Sequence, residues 1–446
     1  MRRGRPVVAV VGRPNVGKST FFNRVLGERR AIVEDTPGVT RDRNFAVAEW
    51  NARQFYLVDT GGLEPDTQNF MADAIRTQVV AALAEADVIV FMVDGMAGPH
   101  PSDHRVAELL RRTNLPVVLA VNKLDRIPNE TAQHEFWELG LGEPLPVSSM
   151  VGRGSGDLLD AIVGKLPPAD SDEEDQGLHI AVIGKPNVGK SSFVNRLLGE
   201  DRMVVSDVAG TTRDSIDTPM RYHGRDLIFV DTAGLRRQAK IDESLEYYSM
   251  LRTEIAIERA DICLLLVDGS EETHVQDLRI AGKAWKAGCS LIIIVNKWDL
   301  VEKETNTAAE FEKKLHERVP SLRWVPMIFA SALTGQRVHK VLETILEVAE
   351  QRDRRVATRE VNEVLRELIA RTHPPHYRGM PVKMMYATQA AVAPPTFVIF
   401  VNHPKGVPEH YMRYLQNGFR AAWKFAGTPL RLRLKGRREK ESEITQ

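Results

Sequence analysis

The stretch VVAVVGRPNVGKSTFFNRVLGE, from Val7 to Glu28, returns along the chain as HIAVIGKPNVGKSSFVNRLLGE, from His179 to Glu200. The two copies begin 172 residues apart. Each copy places a short apolar run before a glycine-rich turn and a helical pattern after it. Repeats of solenoid proteins are 20–50 residues long, so a period of this length indicates a whole domain that has been copied. The sequence therefore predicts two related domains in tandem.

Short apolar runs alternate with helical patterns such as Thr20–Leu26 and Met71–Leu83 within each copy. The runs predicted as strands in the first copy are Val7–Val11, Phe55–Val58, Val88–Val93, Val117–Val121 and Leu145–Val147. Strands that are apolar on both faces and alternate with helices are typical of a mostly parallel sheet covered on both sides. We predict an α/β fold of that kind for each copy.

Composition divides the chain into four segments. Residues 167–177 contain five acidic residues and two prolines but no large apolar side chain, which is typical of an extended, solvated linker. We therefore predict a first domain at 1–166, an acidic linker at 167–177, a second domain at 178–351 and a small third domain at 352–446.

The 446 residues include 60 Lys plus Arg and 60 Asp plus Glu, so the formal net charge is zero. By segment the net charge is −2 for residues 1–166, −5 for the linker, −3 for residues 178–351 and +10 for residues 352–446. The zero conceals a strongly basic end, which is a candidate for contact with nucleic acid.

Two cysteines, Cys263 and Cys289, exclude a disulfide scaffold and a cysteine-rich zinc site, and they fit a reducing compartment. Apolar runs such as Leu291–Val295 are far shorter than the ~20 residues of a membrane span. We expect no membrane association.

A phosphate-binding pattern, G-x-x-x-x-G-K-[ST], occurs once in each copy. Its residues are Gly12, Arg13, Pro14, Asn15, Val16, Gly17, Lys18 and Ser19, and then Gly184, Lys185, Pro186, Asn187, Val188, Gly189, Lys190 and Ser191. Glycines let backbone N–H groups curl around a phosphate, and the following helix adds its partial positive charge. We expect Lys18 and Lys190 to reach the β- and γ-phosphates, and Ser19 and Ser191 to bind Mg²⁺. Two matches between a strand and a helix argue against a chance glycine-rich turn.

Asp59 and Asp231 each follow an apolar strand and precede a glycine-containing turn. Ligands of open α/β sheets bind at this edge, which favours a carboxylate that holds Mg²⁺ through water. The alternative is an ordinary aspartate of a strand-end turn. Beside two phosphate loops we favour the metal role.

The pattern Asn-Lys-x-Asp also occurs in both copies, after the strands Val117–Val121 and Leu291–Val295. Its residues are Asn122, Lys123, Leu124 and Asp125, and then Asn296, Lys297, Trp298 and Asp299. A carboxylate here accepts two N–H bonds from guanine, and adenine offers no such pair of donors. Ser148 with Ser149, and Ser331 with Ala332, follow the last strand of each copy and are candidates to pack against the base.

These motifs, in this order and each behind a strand, resemble translation-factor-type GTPases. Two such domains followed by a small third domain resemble the Der (EngA) family of bacterial GTPases that act in assembly of the large ribosomal subunit. The resemblance covers nearly the whole chain. It implies GTP hydrolysis, a C-terminal α+β KH-like domain, binding to the large (50S) ribosomal subunit and rRNA, and a cytoplasmic location.

The resemblance also assigns residues near the γ-phosphate. Thr40 and Thr212 match the switch threonine that closes on Mg²⁺ and γ-phosphate. The turns after the two strand-end aspartates contain Thr60, Gly61, Gly62 and Leu63, and Thr232, Ala233, Gly234 and Leu235. Ras-like enzymes carry a glutamine at the last position, which orients the attacking water. Leucine cannot hydrogen-bond, so we expect slow intrinsic turnover.

Asn15 and Asn187 match a phosphate-loop asparagine that helps to hold K⁺ in related potassium-activated GTPases. The alternative is that each asparagine only shapes the loop through bonds to its own backbone. Both interpretations remain open at this stage.

The basic C-terminal segment predicts the order helix, strand, strand, helix, strand, with Thr358 as an N-cap. In Pro429–Lys435 leucines alternate with Arg431, Arg433 and Lys435, so one face is expected to pack on a helix and the other to present a basic row. A solubilising edge strand is the alternative. No two glycines in this segment are three positions apart, so the G-x-x-G loop of KH domains is missing. The domain is therefore expected to bind RNA differently, or to dock on protein or on its own GTPase domains.

A second basic group, Arg236, Arg237 and Lys240, follows the second Asp-x-x-Gly turn and is expected to contact the C-terminal domain or RNA in one nucleotide state. We expect a monomer with contacts between the GTPase and KH-like domains. One alternative is a P-loop kinase or ATPase, which the doubled Asn-Lys-x-Asp disfavours. A second is a GTPase linked to RNA modification, for which no catalytic module is recognisable. A third is a scaffold in which one copy binds GTP without hydrolysing it.

Overall fold

The computed structural model describes residues 5–27, 45–60, 79–80, 82–83, 85–125, 127–168, 177–199, 217–232, 246–271, 275–302 and 306–436. The chain forms two compact units, one of residues 1–175 with 242–255, and one of residues 176–241 with 256–446. Most of the predicted helix Met71–Leu83 and most of the acidic linker lie outside the described residues.

The first unit contains a six-stranded sheet in the order β2-β3-β1-β4-β5-β6. Its strands are β1 (Val7–Val11), β2 (Phe45–Trp50), β3 (Arg53–Asp59), β4 (Val88–Asp94), β5 (Val117–Asn122) and β6 (Leu145–Pro146). The helices are α1 (Lys18–Gly27), α2 (Pro101–Arg111) and α3 (Ser155–Lys165), with a 3₁₀ helix at Ile127–Leu139. All strand pairs are parallel except β2 with β3.

Helices cover both faces of this sheet. Phe21 of α1 and Leu158 of α3 pack on one face, and Val106 of α2 and Phe136 of the 3₁₀ helix pack on the other. β1 and β4 are buried along almost their whole length, which explains why they read as continuous apolar runs in the sequence. The predicted α/β architecture is confirmed.

The second unit repeats the same sheet, in the order β8-β9-β7-β10-β11-β12. Its strands are β7 (Leu178–Ile183), β8 (Thr218–Tyr222), β9 (Arg225–Val230), β10 (Ile262–Asp268), β11 (Ser290–Asn296) and β12 (Met327–Phe329). Its helices are α4 (Lys190–Leu198), α6 (Val275–Ala287), α7 (Thr307–Arg318) and α8 (Val338–Asp353), and the helix α5 (Glu246–Arg259) belongs to the first unit up to residue 255 and to the second unit from residue 256. Again only β8 runs antiparallel to its neighbour.

The basic C-terminal segment forms an α+β layer of its own. Its elements are α9 (Thr358–Arg371), the short strands β13 (His376–Tyr377) and β14 (Met380–Pro381), then β15 (Met384–Ala391), β16 (Thr396–Val401), α10 (Glu409–Trp423) and β17 (Arg431–Gly436). β15 is antiparallel and β17 parallel to β16. The prediction of Thr358 as N-cap is wrong: it is the first helical residue, and the N-cap is Ala357.

One face of this three-stranded sheet is covered by α9 and α10. Phe397 of β16 is fully buried between Leu365 of α9 and Phe419 of α10 in one apolar cluster. Leu432 and Leu434 of β17 pack against that cluster, as the alternation of leucine and basic residues predicts.

The C-terminal layer is joined to the second six-stranded sheet by main-chain hydrogen bonds. Leu291 of β11 donates its amide to the carbonyl of Gly427 over 2.6 Å, and the Gly427 amide donates to Trp324 over 2.7 Å. The hydroxyls of Ser290 and Thr428 lie 3.0 Å apart, and both side chains are buried. The expected contacts between the second α/β domain and the C-terminal domain are present. Among the described residues, no helix is long and apolar enough to cross a membrane.

Candidate guanine-nucleotide sites

Both phosphate loops require glycine at their first and sixth positions. Gly12 has φ +152°, and a Cβ there would lie 2.2 Å from the carbonyl oxygen of Met92. A Cβ on Gly17, φ +103°, would lie 2.1 Å from the Asn122 amide nitrogen, Nδ2. Gly184 and Gly189 repeat both restrictions in the second unit. Positive φ at these glycines turns successive backbone N–H groups toward one point, which is the geometry of an anion-binding nest.

The lysine of each loop begins the helix that follows it. Lys18 donates from its ammonium nitrogen, Nζ, to the carbonyls of Gly12 and Arg13, each over 2.9 Å. Lys190 bonds in the same way to Gly184 over 2.9 Å and to Lys185 over 2.6 Å. Each ammonium is thereby held over its phosphate loop. Burial lowers the pKa of Lys190 to about 8, although the carboxylate of Asp277 opposes the shift.

The asparagine of Asn-Lys-x-Asp connects the phosphate loop to the loop after the last strand. Asn122 donates from Nδ2 to the carbonyl of Val16 over 2.7 Å, and its side-chain oxygen accepts from the amide of Ser149 over 2.9 Å. Asn296 makes the same pair of bonds, to Val188 over 2.8 Å and from Ala332 over 3.0 Å. Both asparagines are buried, and because each bonds to both loops, it fixes the position of one loop relative to the other.

The lysine of the same motif is fixed by an aspartate at the end of the neighbouring strand. Lys123 Nζ lies 2.7 Å from Asp94, and Lys297 Nζ lies 2.6 Å from Asp268. Burial opposes ionisation of Asp94, but the Lys123 ammonium and two backbone amides outweigh it and hold its pKa below the ordinary value. The pKa of Asp268 is lowered in the same way, with Lys297 and Ser270 as its partners.

The two carboxylates predicted to bind guanine are exposed to solvent to different degrees. Asp125 is exposed and accepts a hydrogen bond from the hydroxyl of Ser148, and Asp299 is half-buried. Ser148 also accepts from the amide of Val151 over 3.1 Å, so it fixes both the carboxylate and its own loop. A rigid carboxylate at the rim can meet two donors of a flat ring.

The two strand-end aspartates differ in backbone geometry. Asp59 is the last residue of β3 and is 2% exposed, whereas Asp231 follows β9 with φ +57°. The Asp231 amide donates to the carboxylate of Asp217 over 3.0 Å, an interaction that holds the residue off the strand. The neighbouring Thr60 and Thr232 are buried, and Thr60 donates to Val10 over 2.8 Å.

Several predicted site residues lie outside the described residues. They are Thr40, Gly61, Gly62 and Leu63 of the first copy, and Thr212, Ala233, Gly234 and Leu235 of the second. The basic residues Arg236, Arg237 and Lys240 also lie outside them. Their roles stay predictions.

An arginine on the first helix of each domain fixes the loop after the last strand, and the sequence analysis missed it. Arg24 donates to the carbonyls of Ser149 and Met150. Arg196 donates to Ala332 over 3.2 Å and to Leu333 over 2.5 Å. Arg24 and Arg196 are 172 residues apart, so a comparison of the two copies could have found them.

A buried aspartate behind each phosphate loop was missed as well. Arg13 Nε lies 3.3 Å from the carboxylate of Asp103, and Lys185 Nζ lies 3.2 Å from that of Asp277. Both aspartates are almost completely buried. Burial raises the pKa of Asp103, and the charge of Arg13 opposes this. Asp103 and Asp277 are 174 residues apart, the same offset as Asn-Lys-x-Asp.

The residues present fit a guanine nucleotide with its metal ion. Each nest and its lysine provide the positive surroundings that a polyphosphate needs. Ser19 with Asp59, and Ser191 with Asp231, are oxygen donors of the kind that Mg²⁺ prefers. Asn15 and Asn187 are exposed on the loops with φ of +63° and +64°. These φ values agree with the loop-shaping role, and the exposure of both residues leaves them accessible to a cation.

Comparison with known proteins finds two matching families. A family described as "50S ribosome-binding GTPase" matches residues 7–123 and 179–297. A second family, "KH-domain-like of EngA bacterial GTPase enzymes, C-terminal", matches residues 355–435.

Relatives of known name match along almost their whole length. GTPase Der of Gemmatimonas aurantiaca is 56% identical over 431 residues, which are 96% of this chain and 98% of the relative. GTPase Der of Caldanaerobacter subterraneus is 50% identical over 436 residues, 98% of this chain and 99% of the relative. A crystal structure of Era with MgGDPNP and 16S ribosomal RNA nucleotides is 21% identical, with a TM-score of 0.30, over 70% of this chain and 98% of that one. With two GTPase domains and a KH-like third domain on one chain, the protein belongs to the Der family of GTPases.

Proposed function

We propose that this GTPase is a switch in assembly of the large ribosomal subunit, and that its nucleotide state controls binding to rRNA through the basic KH-like domain. The family description, "50S ribosome-binding GTPase", supports the ribosomal role. The net charge of +10 in residues 352–446 supports contact with rRNA, because Lys and Arg neutralise phosphates. The cytoplasm is the proposed location. One chain contains both nucleotide sites and the basic domain, so we propose that it acts as a monomer.

One structural observation supports the proposed switch: a single strand connects the KH-like domain to the second phosphate loop. Strand β11 bonds to the KH-like domain at Ser290 and Leu291, and it ends at Asn296, which holds the second phosphate loop. Six residue steps of a strand cover ~20 Å. Every residue of β11 is buried. Because a packed interior is hardly compressible, a displacement at one end of the strand is transmitted to the other end.

GTP differs from GDP only at the γ-phosphate, so the response has to begin at groups that meet this phosphate. We propose Lys18 and Lys190 for this contact, with Thr40 and Thr212 closing on Mg²⁺ and the γ-phosphate. Ser19, Asp59, Ser191 and Asp231 complete the proposed metal sites. The contribution of these residues to hydrolysis is positioning and charge stabilisation. K⁺ near Asn15 and Asn187 remains a proposal of its own.

Co-sedimentation of the full chain with purified large or small ribosomal subunits tests the proposal. With a non-hydrolysable GTP analogue we expect binding to the large subunit, weaker binding with GDP, and weaker binding as salt is raised. Lys190→Ala should remove the difference between the two nucleotides at the second site. Binding that ignores both nucleotide and salt would contradict the switch.

A further inference from the structure

Two aromatic side chains stack on the face of the KH-like sheet that α9 and α10 leave uncovered. Tyr386 of β15 and Phe400 of β16 occupy paired positions, with ring centroids 4.3 Å apart and planes 13° from parallel. Tyr386 is 47% exposed. A lone exposed aromatic residue is ordinary on protein surfaces, whereas a stacked pair of rings is a preformed flat surface.

Basic side chains continue this aromatic row. Lys435 of β17 pairs in register with Phe400, and Arg433 pairs with Val398 in the adjacent row. Leu432 and Leu434 point to the helices, so Arg433 and Lys435 share the face with the rings. In the part of the chain that the structure describes, neither of these two residues forms an ion pair with a carboxylate.

The position of the basic row limits where a ligand can lie. Arg431, at the start of β17, donates to the carbonyl of Lys286 over 3.0 Å and is thus engaged by the second GTPase domain. Arg433 and Lys435 follow at steps of ~6.6 Å, which is comparable with the separation of successive phosphates in an extended nucleic-acid strand. β15 is an edge strand, and among the described residues no further strand pairs with its outer side.

We infer that the open sheet face formed by Tyr386, Phe400, Arg433 and Lys435 binds unpaired RNA, with a base stacked on Tyr386 and phosphates held by Arg433 and Lys435. The inference rests on the proposed function, which brings the KH-like domain to rRNA. Stacking on aromatic side chains beside a positive groove is the general way in which proteins hold single strands. This mode needs no G-x-x-G loop, which the domain lacks.

The chemistry of this face favours RNA over protein as the occupant. Protein interfaces are depleted in lysine, whereas this face places Lys435 directly beside an aromatic ring. Every base offers a flat face, so stacking accepts many sequences. A protein partner is kept as an outcome of the test.

The test measures binding of the full chain to a fluorescein-labelled oligouridylate and to an RNA duplex of the same length. Tyr386→Ala should weaken binding of the single strand by about fivefold to a hundredfold, which is the range for one lost stacked base. Tyr386→Phe should restore it, because the ring is kept. Trp137→Ala, which removes an exposed aromatic ring of the first GTPase domain, should have no effect.

Separate variants test the contribution of the two basic side chains to RNA affinity. Arg433→Gln with Lys435→Gln should reduce the slope of log affinity against log salt by about 1.4, or ~0.7 for each phosphate contact on a single strand. Lys313→Gln with Lys314→Gln, at exposed positions of α7, should leave the slope unchanged.

Unchanged oligouridylate binding by Tyr386→Ala, or an equal loss on the duplex, would overturn the inference. Loss of large-subunit binding by this variant without loss of oligouridylate binding would also overturn it, because the face would then dock on a ribosomal protein. The proposed function fails separately, when the unmodified chain binds oligouridylate through Tyr386 but does not bind the large subunit.

Discussion

The amide of Leu291 donates to the carbonyl oxygen of Gly427 over 2.6 Å, from the beginning of a strand of the second GTPase sheet to the KH-like domain. Leu291 is the second residue of β11, whose last residue is Asn296. One buried strand therefore connects the guanine-nucleotide site to the domain that we propose to bind RNA.

Gly427 should be the least tolerant point of this junction. Its φ is +70°, and a Cβ there would lie 2.8 Å from Val348 and 3.0 Å from the Leu291 carbonyl. Gly427→Ala should cost ~1–2 kcal/mol for the left-handed backbone and ~1–3 kcal/mol more for overpacking. Gly379→Ala is the matched control, because Gly379 has φ +77° and no atom within 4 Å of its Cβ position. Thermal unfolding of both variants measures the difference, and equal destabilisation would contradict the close packing.

Arg24 and Arg196 should support nucleotide affinity without taking part in hydrolysis. Each arginine donates two hydrogen bonds to the loop that is predicted to contact the base. We expect Arg196→Ala to weaken GDP binding at the second site by about fivefold to thirtyfold, from the loss of ~1–2 kcal/mol. Arg111→Ala breaks a comparable bond, to the carbonyl of Leu139, and should not change affinity. Titration with a fluorescent GDP measures the affinity of both variants. An equal loss of affinity in both would contradict the role of Arg196 and indicate a general loss of stability.

Nucleotide affinity at the second site should fall in alkaline solution. The pKa of Lys190 is lowered to about 8, so its ammonium is lost in the free protein as pH rises through that value. A polyphosphate requires the charged form, and affinity should therefore be about tenfold weaker at pH 9 than at pH 7. Asp277 favours the ammonium, so Asp277→Asn should start the decline at lower pH.

This titration is measured in a Lys18→Ala background, which leaves the second site as the dominant one. Glu312→Gln changes an exposed carboxylate of α7 and should reproduce the parent pH profile. An Asp277→Asn profile that coincides with the parent would show that Asp277 does not influence Lys190.

The role of the phosphate-loop asparagines can be separated from their backbone conformation. Asn187 has φ +64°, which glycine adopts without strain, so Asn187→Gly removes the amide and keeps the loop. With a K⁺ role, GTP hydrolysis should be faster in KCl than in NaCl, and Asn187→Gly should lose the difference at the second site. Equal rates in the two salts, or stimulation kept by the variant, would leave only the loop-shaping role.

The sequence predicts the inner strands well and the outer ones poorly. The predicted and observed bounds of β1 coincide, because its five residues are all buried and apolar. The antiparallel edge strands β2 and β8 are not predicted, since only Phe45 and Ala48 of β2 are buried and β8 carries a proline and an arginine among its five residues. The phosphate-binding and base-binding motifs can be recognised because their chemistry allows few residue types, which therefore recur in both copies.

Residues that act through other residues could not be identified in this way. In the sequence, Arg24 resembles an ordinary solvated arginine on a helix. Its role becomes visible only in the folded structure, where it donates to the carbonyl of Ser149. Gly427 resembles any loop glycine, since its importance comes from tertiary contacts with Leu291 and Val348. The stacking of Tyr386 on Phe400 depends on strand register, which the residue pattern alone does not fix.

The central claim is that nucleotide state at the second site controls binding to the large subunit, and Asp299→Asn tests it most directly. An asparagine in place of the base-binding carboxylate suits xanthine, which has an acceptor where guanine has a donor, so the two sites can be loaded separately. With GDP held at the first site, we predict tight co-sedimentation with a non-hydrolysable xanthosine triphosphate analogue and weak co-sedimentation with xanthosine diphosphate. Asp125→Asn gives the mirror control for the first site. Equal binding by Asp299→Asn with both xanthosine nucleotides, once their occupancy is confirmed, would contradict the account.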